Sequence, residues 1–371
     1  MTSHLCYRFS ATRHRDRQVK LEPSFSEPML TMGVGYLPVL AEDMIILSFT
    51  AGRIAAFNRD DLRELWSFQM NSGYEAAISS PGSVLFNGND LVVSGRDQLM
   101  VLHPRTGQLR EQAAITEINI HNASPVPDGV IAAYREGDAY GIGFFQSAKP
   151  STPVWTVRAA LPLGAISTLG EVCCFAPTLD ELVAVKAQDG TGLWKTSVAE
   201  LGTFEDDLGR KRKGEIASEP ILWNDLVIVG VRGNRVIALE VQSGKVRWNC
   251  NVDALVPSNL TLDADGVLHL LSPVRYYRIQ AASGEILTSF DVEDELAAVP
   301  AFPLSHLDTS ATHIYCAGLS GTVFAMSQST GKVVWKHDSE AGAPFSHYPL
   351  VDDDCLYFLD GQNTLLTFPR K

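Results

Sequence analysis

Nine histidines and six cysteines are the side chains of this 371-residue chain best suited to metal binding or nucleophilic chemistry. Two imidazoles must converge on one ion, so histidine ligands come at short helical or hairpin spacings. His4, His14, His103, His121, His269, His306, His313, His337 and His347 show no such pair. Each reads as a lone strand or loop histidine, hydrogen-bonded at the surface. Cys173, Cys174, Cys316 and Cys355 fall in apolar runs and Cys250 follows Trp248, where a free thiol serves as a small core side chain. Cys6 has no apolar run before it. Cys173-Cys174 invites a vicinal disulfide, but neighbouring strand side chains point to opposite faces. No Gly-x-Ser-x-Gly elbow, phosphate-binding loop or zinc-type cysteine pair is present in the sequence. The expectation is no catalytic residue, no metal and no cofactor.

Charge narrows the partners. The net charge of −13 disfavours nucleic acid, whose phosphates are held largely by lysine and arginine. Two basic stretches interrupt the acidic background: residues 1–17, read as a disordered tail, and Arg210-Lys-Arg-Lys213. No stretch approaches the roughly 18 apolar residues of a membrane-spanning helix, and the N-terminus as given lacks the apolar core of a secretion signal. The expected location is the cytoplasm.

The elements that would position any site are announced by the tryptophans. Five of the six, Trp66, Trp155, Trp194, Trp248 and Trp335, lie ten residues after Ala56, Phe145, Ala184, Ala238 and Ala325. Two degenerate copies, Val101 to Glu111 and Arg278 to Thr288, share the frame and its Thr/Ser-Gly turn. Frame positions 66, 111, 155, 194, 248, 288 and 335 are 45, 44, 39, 54, 40 and 47 residues apart. A period in the mid-forties made of short strand-like runs marks a β-propeller. The tryptophans are assigned to structure: each ring lies on the adjacent blade and its N–H bonds a loop carbonyl.

Eight apolar runs rich in β-branched residues, from 44–49 to 355–359, read as the second strands of eight units. The last unit ends without an outer strand, while Gln18-Val-Lys-Leu precedes the first unit without a repeat of its own. The expected fold is all-β: an eight-bladed propeller over 18–371 with four-stranded antiparallel blades. Its ring is closed by the N-terminal strand completing the last blade, which hides the sheet edges.

The frame resembles the tryptophan-docking repeat of PQQ-type propellers. That superfamily includes quinoprotein alcohol dehydrogenases and the propeller lipoprotein of outer-membrane barrel assembly. In length and repeat size the chain looks closer to the assembly protein. The resemblance also raises a quinone-dependent enzyme, which requires a calcium-type ion on carboxylate and amide oxygens and an aromatic platform. Trp223 is the one tryptophan outside the frame, and Pro220-Ile-Leu-Trp-Asn places it as readily in an inner-strand core.

What remains is a binding surface. Propellers gather the loops between blades around one end of the channel, and here those stretches mix aromatic and hydrogen-bonding residues. The candidate partner-binding residues are Tyr74, Glu75, His121, Asn122, Phe204, Asn259, Glu295, His347 and Tyr348. The longest connection, 199–214, is acidic and then basic, with Phe204 and Leu208 as apolar points; it reads either as a docking loop or as a disordered excursion. The expected function is a non-catalytic scaffold that binds another protein through one ring face. The alternatives are a quinoprotein-like enzyme at the channel mouth and a periplasmic assembly factor.

Overall fold

The computed structural model describes residues 17–20, 39–48, 53–70, 84–94, 98–114, 122–136, 139–159, 166–206, 208–253, 260–297, 307–317, 322–338, 350–351, 355–359 and 364–369. Of the expected basic tail, residues 1–17, only Arg17 is among them, and it opens a strand; residues 1–16 lie outside. Among the described residues almost all regular structure is antiparallel strand, with one short helix, Glu293–Ala297.

Seven sheets each take four consecutive strands in simple up-and-down order. We call them blades one (39–69), two (84–114), three (122–159), four (167–197), five (221–251), six (260–291) and seven (308–338). A further four-stranded sheet is composite. Leu350–Val351, Cys355–Leu359 and Thr364–Pro369 pair in turn, and the last of these pairs with Arg17–Lys20 from the other end of the chain. Where eight blades were expected, seven are built from consecutive strands. The composite sheet differs because its outer strand comes from the N-terminal segment, in the register Arg17↔Thr367 to Lys20↔Thr364.

The core consists of hydrophobic clusters shared between neighbouring sheets. Blades one and two bury Ile46, Ile54 and Trp66 against Leu91, Val93 and Met100, and the arrangement repeats down the chain to blade seven. The composite sheet then packs through Leu356 against Tyr315 and Val323 of blade seven. Through Cys355 and Tyr357 it packs against Ile45 and Phe57 of blade one. First strands also touch around the axis, tied by small hydroxyls: Ser124 Oγ lies 2.8 Å from Thr168 Oγ1, and Thr261 donates to the Leu307 carbonyl at 2.7 Å.

The frame tryptophans do what their spacing predicts. Ala56, Ala184, Ala238 and Ala325 pair with Trp66, Trp194, Trp248 and Trp335, and each register shifts at the next residue. Such bulges turn the strand sharply. In blade three the partner moves by one residue: Phe144, not Phe145, donates to the Trp155 carbonyl at 3.2 Å. Four of the indole N–H groups donate to a carbonyl of the next blade: Trp66 to Pro104 (2.9 Å), Trp155 to Ala187 (2.9 Å), Trp194 to Val241 (2.7 Å) and Trp248 to Ala281 (3.0 Å). Three residues beyond each carbonyl is the turn glycine, with φ of +65° to +74°, and a Cβ there would sit 2.4–2.7 Å from the ring. Glycine is required twice over, by the left-handed backbone and by the ring lying where a side chain would stand.

One expectation about a single residue changes. His269 is fully buried rather than at the surface. Its Nε2 lies 3.0 Å from Asp263 Oδ2 and its Nδ1 lies 2.7 Å from the Tyr276 hydroxyl, so both ring nitrogens are satisfied. Burial raises the Asp263 carboxyl, but hydrogen bonds from His269 and Val267 outweigh it and hold the group below the usual range. Gly141 and Gly143 lie in a regular strand, where Gly141 lies against the Tyr134 ring. The cysteines follow expectation: Cys173 and Cys174 are free and buried and face opposite neighbours. Burial pushes the Cys174 thiol up to about 12.

The seat geometry can be tested by paired substitutions. Gly170 and Gly284 both have positive φ, but a Cβ at Gly170 meets nothing within 4 Å whereas one at Gly284 meets Trp248 at 2.6 Å. Both Gly→Ala changes carry a backbone cost of about 1–2 kcal/mol. Gly284→Ala is expected to cost a further ~1–3 kcal/mol of overpacking, read as a lower urea midpoint. Equal losses for the two variants would mean that the indole is not held on this turn.

Candidate functional site

The repeat interval is longest between Trp194 and Trp248, 54 residues, and the extra chain forms a hairpin. Thr203–Glu205 pairs with Lys211–Lys213 in the register Thr203↔Lys213, Phe204↔Arg212 and Glu205↔Lys211. Asp206 organises the turn: its Oδ1 accepts the amides of Leu208 and Arg210 at 3.0 Å, and its Oδ2 accepts Arg210 Nε at 2.8 Å. The Arg210 side-chain bond holds the Asp206 carboxyl below its ordinary value. An aspartate bonding its own backbone two residues on is a standard turn former.

The hairpin is pinned at its base. The Ile216 amide donates to the Leu179 carbonyl at 2.6 Å, reaching blade four, and the Arg232 amide donates to the Glu215 carbonyl at 2.7 Å, reaching blade five. Three glycines allow the backbones this close. A Cβ on Gly202 would meet the Arg232 carbonyl at 2.8 Å, one on Gly214 the Val198 carbonyl at 2.7 Å, and one on Gly233 (φ +99°) the Thr203 carbonyl at 2.6 Å. The Arg232 guanidinium stands 5.5 Å from the centre of the Phe204 ring, a cation–π contact that ties the hairpin to blade five.

From that base the hairpin presents an apolar tip and a basic strand. Leu208 is 75% exposed, and Lys211, Arg212 and Lys213 are all exposed. Their charges are partly met within the hairpin region: Lys213 reaches Glu200 at 2.5 Å, and Arg212 lies 3.9 Å from Glu215. The bond from Glu200 raises the Lys213 ammonium above its usual value. Exposed pairs of this kind exchange partners at little cost.

Of the residues expected to bind a partner, Phe204 sits in this hairpin, where its ring serves the anchor rather than the tip. Glu295 lies in the short helix, and its Oε2 accepts the Val333 amide at 3.1 Å, a structural tie between blade six and blade seven. Asn122 opens the first strand of blade three. Tyr74, Glu75, His121, Asn259, His347 and Tyr348 lie outside the described residues. The three described candidates lie on separate elements: Asn122 in blade three, Phe204 in the hairpin and Glu295 in the short helix. Sequence reasoning passed over Gly202, Gly214, Gly233 and Arg232; glycines bracketing an acidic-then-basic run were the available signal. Trp223 lies across the blade five–six interface, with its ring against the Gly266 turn. Among the described residues no three His, Cys, Asp or Glu side chains are grouped to hold a metal ion, and no helix is long and apolar enough to cross a membrane.

Comparison with known proteins fits this architecture. The chain is 31% identical over 147 residues to the outer membrane protein assembly factor BamB of Burkholderia pseudomallei, a stretch covering 39% of this chain and 33% of that one. The curated relatives it matches are spanned over 18% to 55% of their own length. The crystal structure of BamB from Moraxella catarrhalis superposes with a TM-score of 0.70 at 14% identity, covering 95% of this chain and 98% of that one. Quinohemoprotein alcohol dehydrogenase from Comamonas testosteroni gives 0.64 at 11% identity, covering 91% and 74%. At those identities the structural likeness is one of fold. The family model described as outer membrane protein assembly factor BamB matches residues 16–196, 178–294 and 274–371, and the chain belongs to that family of PQQ-type propellers.

Proposed function

We propose that this chain is a non-catalytic, protein-binding scaffold of the assembly-factor type. In this reading the composite sheet is the eighth and closing blade of the ring, and the hairpin at 203–213 is the element presented to the partner. The single observation that carries it is the hairpin itself: an apolar tip and a basic strand pinned at their base to a tightly packed ring by backbone contacts that leave the outer side chains exposed. The scaffold reading also agrees with the family, whose name describes assembly. A quinoprotein-like enzyme is the second reading, and its support is the fold shared with the dehydrogenase. The tryptophans of the frame favour the scaffold, because they are committed to blade contacts.

The cytoplasm is a separate proposal. Cys173, Cys174, Cys250, Cys316 and Cys355 are free and buried, the use of thiols expected in a reducing compartment. Fractionation of cells expressing the natural gene, with the protein recovered in the envelope, would overturn it.

A photo-crosslinking amino acid at Leu208 tests the scaffold. The expected result is a discrete protein adduct that disappears when Lys211, Arg212 and Lys213 are all changed to Glu. An equal adduct pattern from a probe at Val334, exposed on blade seven, would sink the hairpin as the docking element. Rigidity gives a second test. Gly233→Ala forces the hairpin off Thr203, and tryptic cleavage at Arg210–Lys213 is expected to speed up roughly tenfold with little change in global unfolding. An unchanged cleavage rate would mean that the base contact does not hold the hairpin.

A further inference from the structure

Beside the hairpin base lies a groove of about 750 Å³, between the outer strands of blades three and four. Val157 lines one wall, Leu193 lines the other, and Val183 and Pro177 lie between them. Outer strands normally turn polar side chains to solvent, so an apolar trough between two of them is a place for a partner's side chain. Its charged residues are sparse. Lys195 is tied to Glu181 at 2.6 Å, while Arg158, exposed on the other wall, makes no ion pair among the described residues.

The groove is continuous with the hairpin. Its lining runs through Pro177 and Thr178 directly into Leu179 and Asp180. Those two residues accept the amides of Ile216 at 2.6 Å and Val198 at 2.8 Å at the hairpin base. Asp180 also lies close enough to Lys213 to raise its ammonium. One surface therefore holds an apolar trough, an exposed arginine and the three exposed cations Lys211, Arg212 and Lys213, in a chain of net charge −13. The net charge disfavours acidic partners on average, so a local basic patch selects where an acidic segment can land.

Building on the hairpin reading above, we infer that this surface takes an extended, acidic peptide segment of the partner protein. An aliphatic or aromatic side chain of the segment fills the groove, and carboxylates flanking it meet Arg158 and the strand Lys211–Lys213.

The test uses the full chain and two fluorescein-labelled peptides, Phe-Val-Phe-Gly-Ser-Asp-Glu-Asp-Glu and the same peptide with lysine at its four acidic positions, followed by fluorescence anisotropy. The acidic peptide is expected to bind at least about tenfold more tightly than the lysine peptide. Leu193→Asp and Arg158→Glu should each weaken it severalfold, and the latter, on an exposed side chain, is expected to leave folding intact. Charge reversal of Lys211, Arg212 and Lys213 should invert the preference. If that reversal abolishes binding while Leu193→Asp and Arg158→Glu leave it unchanged, the groove is excluded and the hairpin reading stands. Equal binding of the two peptides, or none by either, overturns the inference, and the Leu208 crosslink reports on the hairpin independently.

Discussion

The seating of an indole on the glycine turn of the next blade is the contact on which the ring depends. A sheet four strands wide cannot cover both of its own faces, and each blade here is stable only against its neighbours. The frame tryptophan joins the two in one side chain. It buries on the order of 150–250 Å², worth ~4–6 kcal/mol as an upper figure at about 25 cal/mol per Å², and its N–H fixes the angle of approach through the carbonyl three residues before the glycine. The glycine has no interaction of its own to offer; its role is to leave the space empty. That asymmetry, a large residue on one blade and an absent side chain on the next, gives the ring a direction.

The exceptions obey the same constraint. In blade one the seat position, four residues before Trp66, is Leu62 with φ +57°, and its side chain is buried against Cys355 and Tyr357 of the composite sheet. That sheet's outer strand, Arg17-Gln-Val-Lys20, brings no tryptophan, so the leucine fills the space from the other side despite its strained backbone. Between blades six and seven the frame position is Thr288, and Phe290 takes the seat at Gly331 instead. The substitution leaves a mark: Arg278 Nε and Thr288 Oγ1, cross-strand partners, are the two buried side-chain polar atoms without a hydrogen bond among the described residues. Blade six also holds the Asp263–His269–Tyr276 chain. A buried polar chain of this kind, fully satisfied, fixes one packing arrangement where the tryptophan rule has lapsed.

These cases mark what could be read in the chain. The ring, the register of Ala56 with Trp66 and its repeats and the ring-on-turn contact followed from the fixed spacing of tryptophan and glycine, and the N-terminal strand in the composite sheet from the outer strand that the last unit lacked. Spacing along one chain encodes contacts between neighbouring repeats, so repeated contacts were legible. His269 was misread because its partners, six residues upstream and seven downstream, belong to one blade alone and recur nowhere. The hairpin was half legible. Its charge pattern stood out, but whether residues 199–214 were ordered turned on Gly233, nearly twenty residues beyond them, whose lack of a side chain lets Thr203 approach.

The order of that hairpin bears directly on the proposed binding. A flexible basic loop could meet many acidic segments, but each immobilised side chain would cost about 0.5–1.5 kcal/mol on association, with backbone ordering added. Here the backbone is already fixed by the Ile216 and Arg232 amide bonds and by Phe204 under Arg232. The side chains of Lys211 to Lys213 remain exposed and loosely paired. Binding then requires little more than exchanging one set of carboxylates for another, which is nearly isoenergetic at a surface. Specificity therefore has to come from what is not exchangeable: the fixed position of the strand relative to the ring, and the apolar shape beside it. A rigid ring made by indoles on glycines is what keeps those two in register.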